Sequence, residues 1–290
     1  MDLPLLPTAY RESRMPIKGY GRLMVKGAFT TSWDCWTYYN QAKAELKLIR
    51  QFYDAADRAG LSIPEDSYQL RQLLRELFHS KSLSQQWPPP QLWTLIAVAQ
   101  HYGIPTRFLD WTRSPYVAAY FAAESILRQG AADPLRRALV IWAFDLKQAG
   151  TGANVARDAA HDPDDRAGDS RRGIIQIIQT PYASSRNLAA QQGVHMLYRS
   201  MEDHTELEIV RRDSFDDELR RAHMRVGSYA KALYKFMLPA QEAAAVLRLL
   251  AKHGVTGATM FPGFDGVTRS IWERHRWDTN ARQVIIPRNL

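Results

Sequence analysis

The sequence has one cysteine and no long hydrophobic run, and each shortage excludes a class of protein. Cys35 alone can form neither an intramolecular disulfide framework nor a metal site built from several cysteines. A lone cysteine fits a reducing compartment, so we expect a cytoplasmic protein. The aromatic residues around Cys35 favour a buried apolar role, with a nucleophile as the alternative. No stretch reaches the roughly 18 apolar residues that a transmembrane helix needs, and the first residues do not have the pattern of a signal peptide.

Several motifs of common enzyme classes are also missing. No glycine-rich dinucleotide loop opens a helix after a strand, which argues against a Rossmann oxidoreductase. Neither a Gly-x-Ser-x-Gly elbow nor a phosphate-binding loop occurs. The histidines do not follow metal-ligand spacing, so we expect no zinc or other metal site; those considered are His101, His161, His195 and His253.

What the chain does contain is ordinary globular material with a basic excess. Its 290 residues are 46% hydrophobic and 23% charged, and the formal net charge is +8. A positive balance favours polyanionic partners such as nucleic acid or a phosphorylated cofactor. A solubility effect explains the same charge, and the basic residues are not gathered into one tail.

Hydrophobic periodicity predicts helices first and strands afterwards. Residues 1–31 lack periodicity and are expected to wrap over the surface of the rest of the chain. Helices are predicted over residues 34–59, 66–79 and 91–102, followed by an irregular turn over 104–113 and a helix that begins at Ser114 and Pro115. Then come strands at 138–146, 173–180, 194–198 and 233–238, a mobile polar loop at 150–169, a helix at 240–253, a strand at 258–261 and a helix at 264–276.

This order indicates an α+β fold in which an N-terminal helical layer packs on a small mixed or antiparallel sheet. We expect one domain over residues 1–290, with an extended wrap at 1–31, a helical part at 32–128 and a strand-rich part at 138–276.

The richest polar stretch is residues 100–115, where a helix end, a rigid turn and a helix start succeed one another. A helix N-terminus at Ser114 offers unpaired amides to an anion, and Arg107 or Arg113 would add a two-pronged clamp. A purely structural role explains the same residues: Arg107 would pair with Asp110, and His101 would bond a backbone carbonyl.

Residues 99–124, AQHYGIPTRFLDWTRSPYVAAYFAAE, closely resemble the FRG domain. The match follows the family's Gln-His-x-Gly-x-Pro-Thr-Arg-x-x-Asp-Trp-Thr-x-x-Pro pattern and its small-residue helix. Residues 186–194 (RNLAAQQGV), 254–269 (GVTGATMFPGFDGVTR) and 3–11 (LPLLPTAYR) are similar to other parts of the family. The family's aromatic-Arg-Gly-Gln motif is not found ahead of Leu3, so a ligand-binding role of that arginine would be impaired.

The resemblance implies an ADP-ribosyltransferase-like fold that uses NAD as co-substrate. It places His101 and Arg107 on the hydroxyls and phosphates of NAD, beside the Thr112 and Ser114 turn. Asp110 would orient Arg107 or itself supply the acid, because Gln191 and Gln192 stand where such enzymes carry a catalytic glutamate. Trp111 or Tyr120 would stack on nicotinamide or the acceptor, while Arg186 and Gln192 line the opposite wall; the catalytic candidates are thus Asp110 and Gln192.

Two functions are hypothesised. The first is an NAD-dependent ADP-ribosyltransferase-like effector, a toxin or phage-defence protein that modifies nucleic acid or protein. The second is a non-catalytic module that binds a phosphorylated ligand or nucleic acid. Outside the main stretch, His195 faces either the site or the solvent, and we favour the solvent. Residues 272–277 interleave aromatic and basic side chains and either stack on single-stranded nucleic acid or turn their tryptophans inward on a helix, the interpretation we favour.

Overall fold

The computed structural model describes residues 38–80, 83, 87–129, 138–150, 155–157, 175–182, 185–198, 214–217, 219–220 and 232–277. Cys35, the expected wrap at 1–31 and most of the expected loop at 150–169 lie outside these ranges. The helices are α1 (Tyr38–Arg58), α2 (Tyr68–His79), α3 (Trp93–His101), α4 (Pro115–Gln129), α5 (Leu146–Gly150), α6 (Arg186–Ala190), α7 (Ala243–Lys252), α8 (Gly257–Met260) and α9 (Phe264–Trp277). The strands are β1 (Leu109–Thr112), β2 (Ala138–Phe144), β3 (Val155–Arg157), β4 (Ile175–Ile178), β5 (Gly193–Tyr198) and β6 (Leu233–Pro239).

The first three helices form one layer, as their apolar spacing predicts. Leu46, Ile49 and Tyr53 of α1 are buried on one side of that helix. Helix α2 begins where the Ser67 hydroxyl accepts a hydrogen bond from the Leu70 amide. Helix α3 is apolar almost all round and is buried nearly along its whole length. The three helices therefore share one continuous hydrophobic core.

The main sheet has the strand order β1-β5-β4-β3. β5 is antiparallel to both β1 and β4, while β3 and β4 are parallel, so the sheet is mixed. Ile178 and Leu197 pack into the core of the helical layer. Leu109, Ile175 and Met196 point to the other face and pack around Phe215. The α+β class expected from the sequence is therefore confirmed.

Three predicted segments differ from the structure. Residues 104–113 were expected to be an irregular turn, yet 109–112 form β1, because every residue of this short strand pairs with β5. The strand predicted at 258–261 is instead helix α8, whose N-terminus is capped by reciprocal hydrogen bonds between Thr256 and Thr259. Residues 155–157 of the expected loop form β3.

The remaining elements are a two-stranded antiparallel ribbon and the helices that pack beside it. β2 and β6 pair along their whole length in antiparallel register. Helices α4 and α7 pack against each other and enclose Tyr120, Ala243 and Leu247. Helix α9 approaches α8 closely at Gly266, where an added Cβ would lie 1.8 Å from the Phe261 carbonyl oxygen.

A buried ion pair joins α1 to the turn that precedes β1. Arg107 donates from Nε and Nη2 to the two carboxylate oxygens of Glu45, at 2.7 and 3.0 Å, and from Nη1 to the Trp87 carbonyl at 3.1 Å. The Trp87 indole and the Gln41 amide also donate to Glu45. Both ionised side chains are nearly buried, at 11% and 7% exposure. Their charges and hydrogen-bonding groups are thus matched inside the protein.

We expect Gly266→Ala to lower the free energy of unfolding by about 1–3 kcal/mol, because the new methyl group must push α9 away from Phe261. Urea unfolding measures the change. Thr268→Ala, at an exposed position on the same helix, should stay within about 0.5 kcal/mol of the parent. Equal stability of the Gly266 variant and the parent would contradict the close approach.

We expect Arg107→Ala to lower the free energy of unfolding by about 3–5 kcal/mol, because it leaves the Glu45 carboxylate buried without its counter-charge. Arg71→Ala, which removes an exposed ion pair with Asp66, should cost clearly less in the same urea titration. If the two variants lose equal stability, Arg107 does not anchor the turn to α1.

Candidate functional site

A cleft of about 620 Å³ opens where the helical layer, the main sheet and the ribbon meet. α3 and the β1–β5 end of the sheet line one side, with Gln100, Asp110 and His195. α4 and β2 line the other side with apolar groups such as Phe121 and Trp142. The cleft thus combines a polar end with an aromatic and aliphatic wall, as small-ligand sites commonly do.

A chain of hydrogen bonds fixes Asp110 at the polar end. The Gln100 amide donates to Asp110 Oδ1 at 2.6 Å, and the Thr106 hydroxyl donates to Gln100 Oε1. Thr106 in turn accepts from the Phe108 amide at 3.2 Å. The Asp110 side chain is 72% exposed, and within the described ranges no residue hydrogen-bonds its Oδ2. One carboxylate oxygen is therefore held while the other remains available to a ligand.

His195 lies directly opposite Asp110, because the two residues are partners in the β1–β5 register. Its Nδ1 is 3.2 Å from Asp110 Oδ1, close enough for an ion pair when the imidazole is protonated. The two groups are not aligned for a hydrogen bond, and Nδ1 has no other partner among the described residues. His195 is only 5% exposed, so the expectation that it faces solvent is wrong.

Two buried polar atoms at this cleft lack a hydrogen-bond partner among the described residues, one on Thr180 and one on His195. Arg50 and Trp111 also carry such atoms, but the Trp111 ring packs against Phe144 and Phe215 on the other face of the sheet. Buried polar groups without partners are uncommon in folded proteins and call for a functional explanation. A ligand that carries polar groups would pair with the two atoms at the cleft.

His101 stands at the rim next to helix α6. Its Nε2 is 3.1 Å from the Asn187 side-chain amide nitrogen. Partial withdrawal from water lowers the pKa of His101, the charge of Asp110 opposes that effect, and His195 adds to it. A neutral imidazole can accept the amide proton of Asn187, so His101 joins α3 to α6 across the cleft.

The residues around the start of β5 hold the end of the cleft together. The Thr112 hydroxyl donates to the Gln191 carbonyl at 2.7 Å and accepts from the Ser114 amide at 3.1 Å. Ser114 caps α4 by accepting from the Val117 amide, as predicted. Gln191 lines the cleft, whereas Gln192 does not and has a positive φ of 48°. Gln191, rather than Gln192, therefore occupies the wall expected for the catalytic position.

Two residues expected to contact the ligand are engaged elsewhere. Arg107 does not line the cleft, because Glu45 and the Trp87 carbonyl use its guanidinium. The expected Arg107–Asp110 pairing is therefore wrong. Tyr120 is completely buried and donates to Glu273, so it cannot stack on a ligand. Burial raises the pKa of Tyr120 well above its usual range.

The structure thus brings together only part of the predicted set. His101, Asp110, Thr112 and Trp111 line the cleft, while Arg107, Ser114, Tyr120, Arg186 and Gln192 do not. Sequence reasoning assigned no role to Thr180, Trp142 or Phe121. The site-facing orientation of His195, the less favoured alternative from the sequence, is the one observed.

No group of three or more potential metal ligands occurs within the described ranges. None of the described helices is long and apolar enough to cross a membrane.

Comparison with known proteins gives one family. A sequence model of the FRG domain matches residues 26–130. Neither a curated protein nor a solved structure matches the chain. The matched range includes Gln100, His101 and Asp110, whereas Thr180 and His195 come from later in the chain. The resemblance carried by residues 99–124 is thereby confirmed, and the chain contains an FRG domain match over residues 26–130.

Proposed function

We propose that the cleft binds the nicotinamide–ribose end of NAD and that the protein transfers ADP-ribose to a nucleic acid or protein acceptor. One observation carries this proposal: the Asp110 carboxylate is fixed by Gln100 beside the buried His195 at the polar end of the cleft. Asp110 is the only carboxylate that lines the cleft within the described ranges.

The shape and lining of the cleft suit a flat ring joined to a sugar. Its volume of about 620 Å³ lies within the range of roughly 300–1,000 Å³ that is usual for small-molecule sites. Trp142 and Phe121 offer aromatic surface to a pyridine ring. The Thr180 hydroxyl and His195 Nδ1, which have no hydrogen-bond partner among the described residues, could pair with a carboxamide or a sugar hydroxyl.

The phosphates of NAD would remain outside the cleft. Within the described ranges, no lysine or arginine lines it, so it offers no side-chain counter-charge to a phosphate. Arg113 and Arg186 each come directly after a cleft-lining residue in sequence, Thr112 and Ser185 respectively. Arg186 is exposed, and Arg113 donates to the neutral Gln179 side chain at 2.6 Å. These two cations are our candidates for the pyrophosphate, a role expected of Arg107 from the sequence.

In the proposed reaction, the bond between C1′ of the ribose and the pyridinium nitrogen of nicotinamide breaks. Its electron pair stays with the nitrogen, and neutral nicotinamide leaves. A nucleophilic atom of the acceptor forms the new bond to C1′, and its proton passes to the Asp110–His195 pair. A fixed carboxylate stabilises the positive charge that develops on the sugar.

A non-catalytic binding module is the second candidate. The observation that favours it is the pair of glutamines, Gln191 and Gln192, where transferases of this type carry glutamate. The Gln191 amide donates to the Met260 carbonyl at 3.0 Å and thus has a structural partner. In this alternative, Asp110 and His195 recognise a ligand without breaking a bond.

We expect Asp110→Asn to reduce nicotinamide release from NAD by about 100-fold or more, because the amide carries no charge to stabilise the developing cation. Chromatographic measurement of nicotinamide, with cell extract as the acceptor source, reports turnover. Calorimetric titration with NAD should show binding within a few-fold of the parent.

Asp57→Asn is the matched control, since Asp57 is an exposed carboxylate on α1 and should leave turnover unchanged. Binding of NAD by the parent without any turnover would support the module and exclude the transferase. Unchanged turnover in the Asp110 variant would remove that residue from the mechanism.

A further inference from the structure

Helix α9 has its polarity reversed relative to the usual surface helix. The side that packs on the protein carries Gly266, Ser270 and Glu273, the last only 1% exposed, with Trp277 as the one large apolar residue at its end. On the other side Phe264 is 93% exposed, Ile271 51% and Trp272 39%. A surface helix normally buries its apolar side and exposes its polar side.

The inner side of α9 has a structural explanation. Gly266 permits the close approach to Phe261, and Glu273 accepts hydrogen bonds from the Tyr120 hydroxyl and the Gly257 amide. The outer side has no such explanation, because exposed Phe264 and Ile271 add nothing to the packing of this helix. Apolar residues gathered on an exposed surface commonly mark an interaction site.

This outer side adjoins the cleft. Phe261, three residues before α9 begins, lines the cleft and contacts Phe121 edge to face, with ring centroids 5.9 Å apart. The Arg269 guanidinium lies 4.1 Å from the centroid of the Phe261 ring. Aromatic surface and positive charge therefore continue from the rim of the cleft onto α9.

The charge near this surface is positive. Arg274, His275 and Arg276 are exposed in the last turn of α9 and form no ion pair with any described residue. The His275 ring lies 6.1 Å from that of Trp272. Asp265, at the opposite end, is the one exposed acid on the helix, and the whole chain carries +8. Flat side chains next to cations are the combination that binds single-stranded nucleic acid, through base stacking and phosphate contacts.

We infer that the outer side of α9 binds single-stranded nucleic acid and guides it across the rim of the cleft. Its aromatic groups are Phe264 and Trp272, and its cations are Arg274 and Arg276. The inference extends the proposed function by naming the class of acceptor, but the binding itself does not require NAD. The expectation that residues 272–277 simply turn their tryptophans inward holds for Trp277, which is buried, and not for Trp272.

Fluorescence anisotropy with a labelled single-stranded oligonucleotide of about 20 nucleotides, in the absence of NAD, tests the inference. Phe264→Ala and Trp272→Ala should each weaken binding by about tenfold, because each removes a stacking surface. Arg274→Gln combined with Arg276→Gln should reduce the slope of log affinity against log salt by about 1.4, for two phosphate contacts on a single strand.

The matched controls are Tyr68→Ala, an aromatic on α2 that is 71% exposed, and Arg58→Gln combined with Arg75→Gln on α1 and α2. None of these should change affinity, and all variants should unfold at the parent's temperature. Asp110→Asn should also keep oligonucleotide binding, which separates failure of the surface from failure of the NAD chemistry.

Three results would overturn the inference. The first is equal affinity in the α9 variants and the controls, and the second is no oligonucleotide binding by the parent at all. The third is binding of anionic vesicles, or self-association, that Phe264→Ala abolishes while oligonucleotide binding is unchanged, since α9 would then serve a different partner.

Discussion

The pairing of β1 with β5 is the constraint on which the candidate site depends. In the observed register Asp110 faces His195, and Thr112 faces Gly193. Because side chains alternate along a strand, a slip of one residue would turn Asp110 into the apolar core around Phe215. Leu109, Trp111 and Met196 on that core face therefore fix the register and, with it, the carboxylate–imidazole pair. The four residue pairs between β1 and β5 therefore both hold the sheet together and set the geometry of the candidate site.

The Glu45–Arg107 pair explains why the most conspicuous arginine of the polar stretch is not part of the cleft. A guanidinium that donates to both oxygens of a nearly buried carboxylate has little capacity left for a ligand. It fixes the turn that precedes β1 and so helps to position the strand that carries Asp110. Arg107 thus has a structural role, but its partner is Glu45 of α1 and not Asp110 of the same stretch.

Local patterns predicted much of the fold and less of the site. Periodicity and capping residues located α1 to α4, and β-branched runs located β2, β4, β5 and β6. β1 was missed because four residues with one acid among them show no alternation that distinguishes a strand from a turn. Asp110 and His101, which the sequence marks as site candidates within one short stretch, both line the cleft. Thr180 received no role and the site was the less favoured alternative for His195, because only long-range pairing brings these two residues to the cleft.

The central claim is that Asp110 and His195 bind the uncharged sugar and the ring of a nucleoside, while phosphates remain outside the cleft. Calorimetric titration with nicotinamide riboside and with ADP-ribose tests it most directly. The account predicts that the riboside, which lacks the pyrophosphate, binds the parent, and that Asp110→Asn binds it within a few-fold of the parent. Binding of ADP-ribose alone, with no measurable affinity for the riboside, would contradict the account.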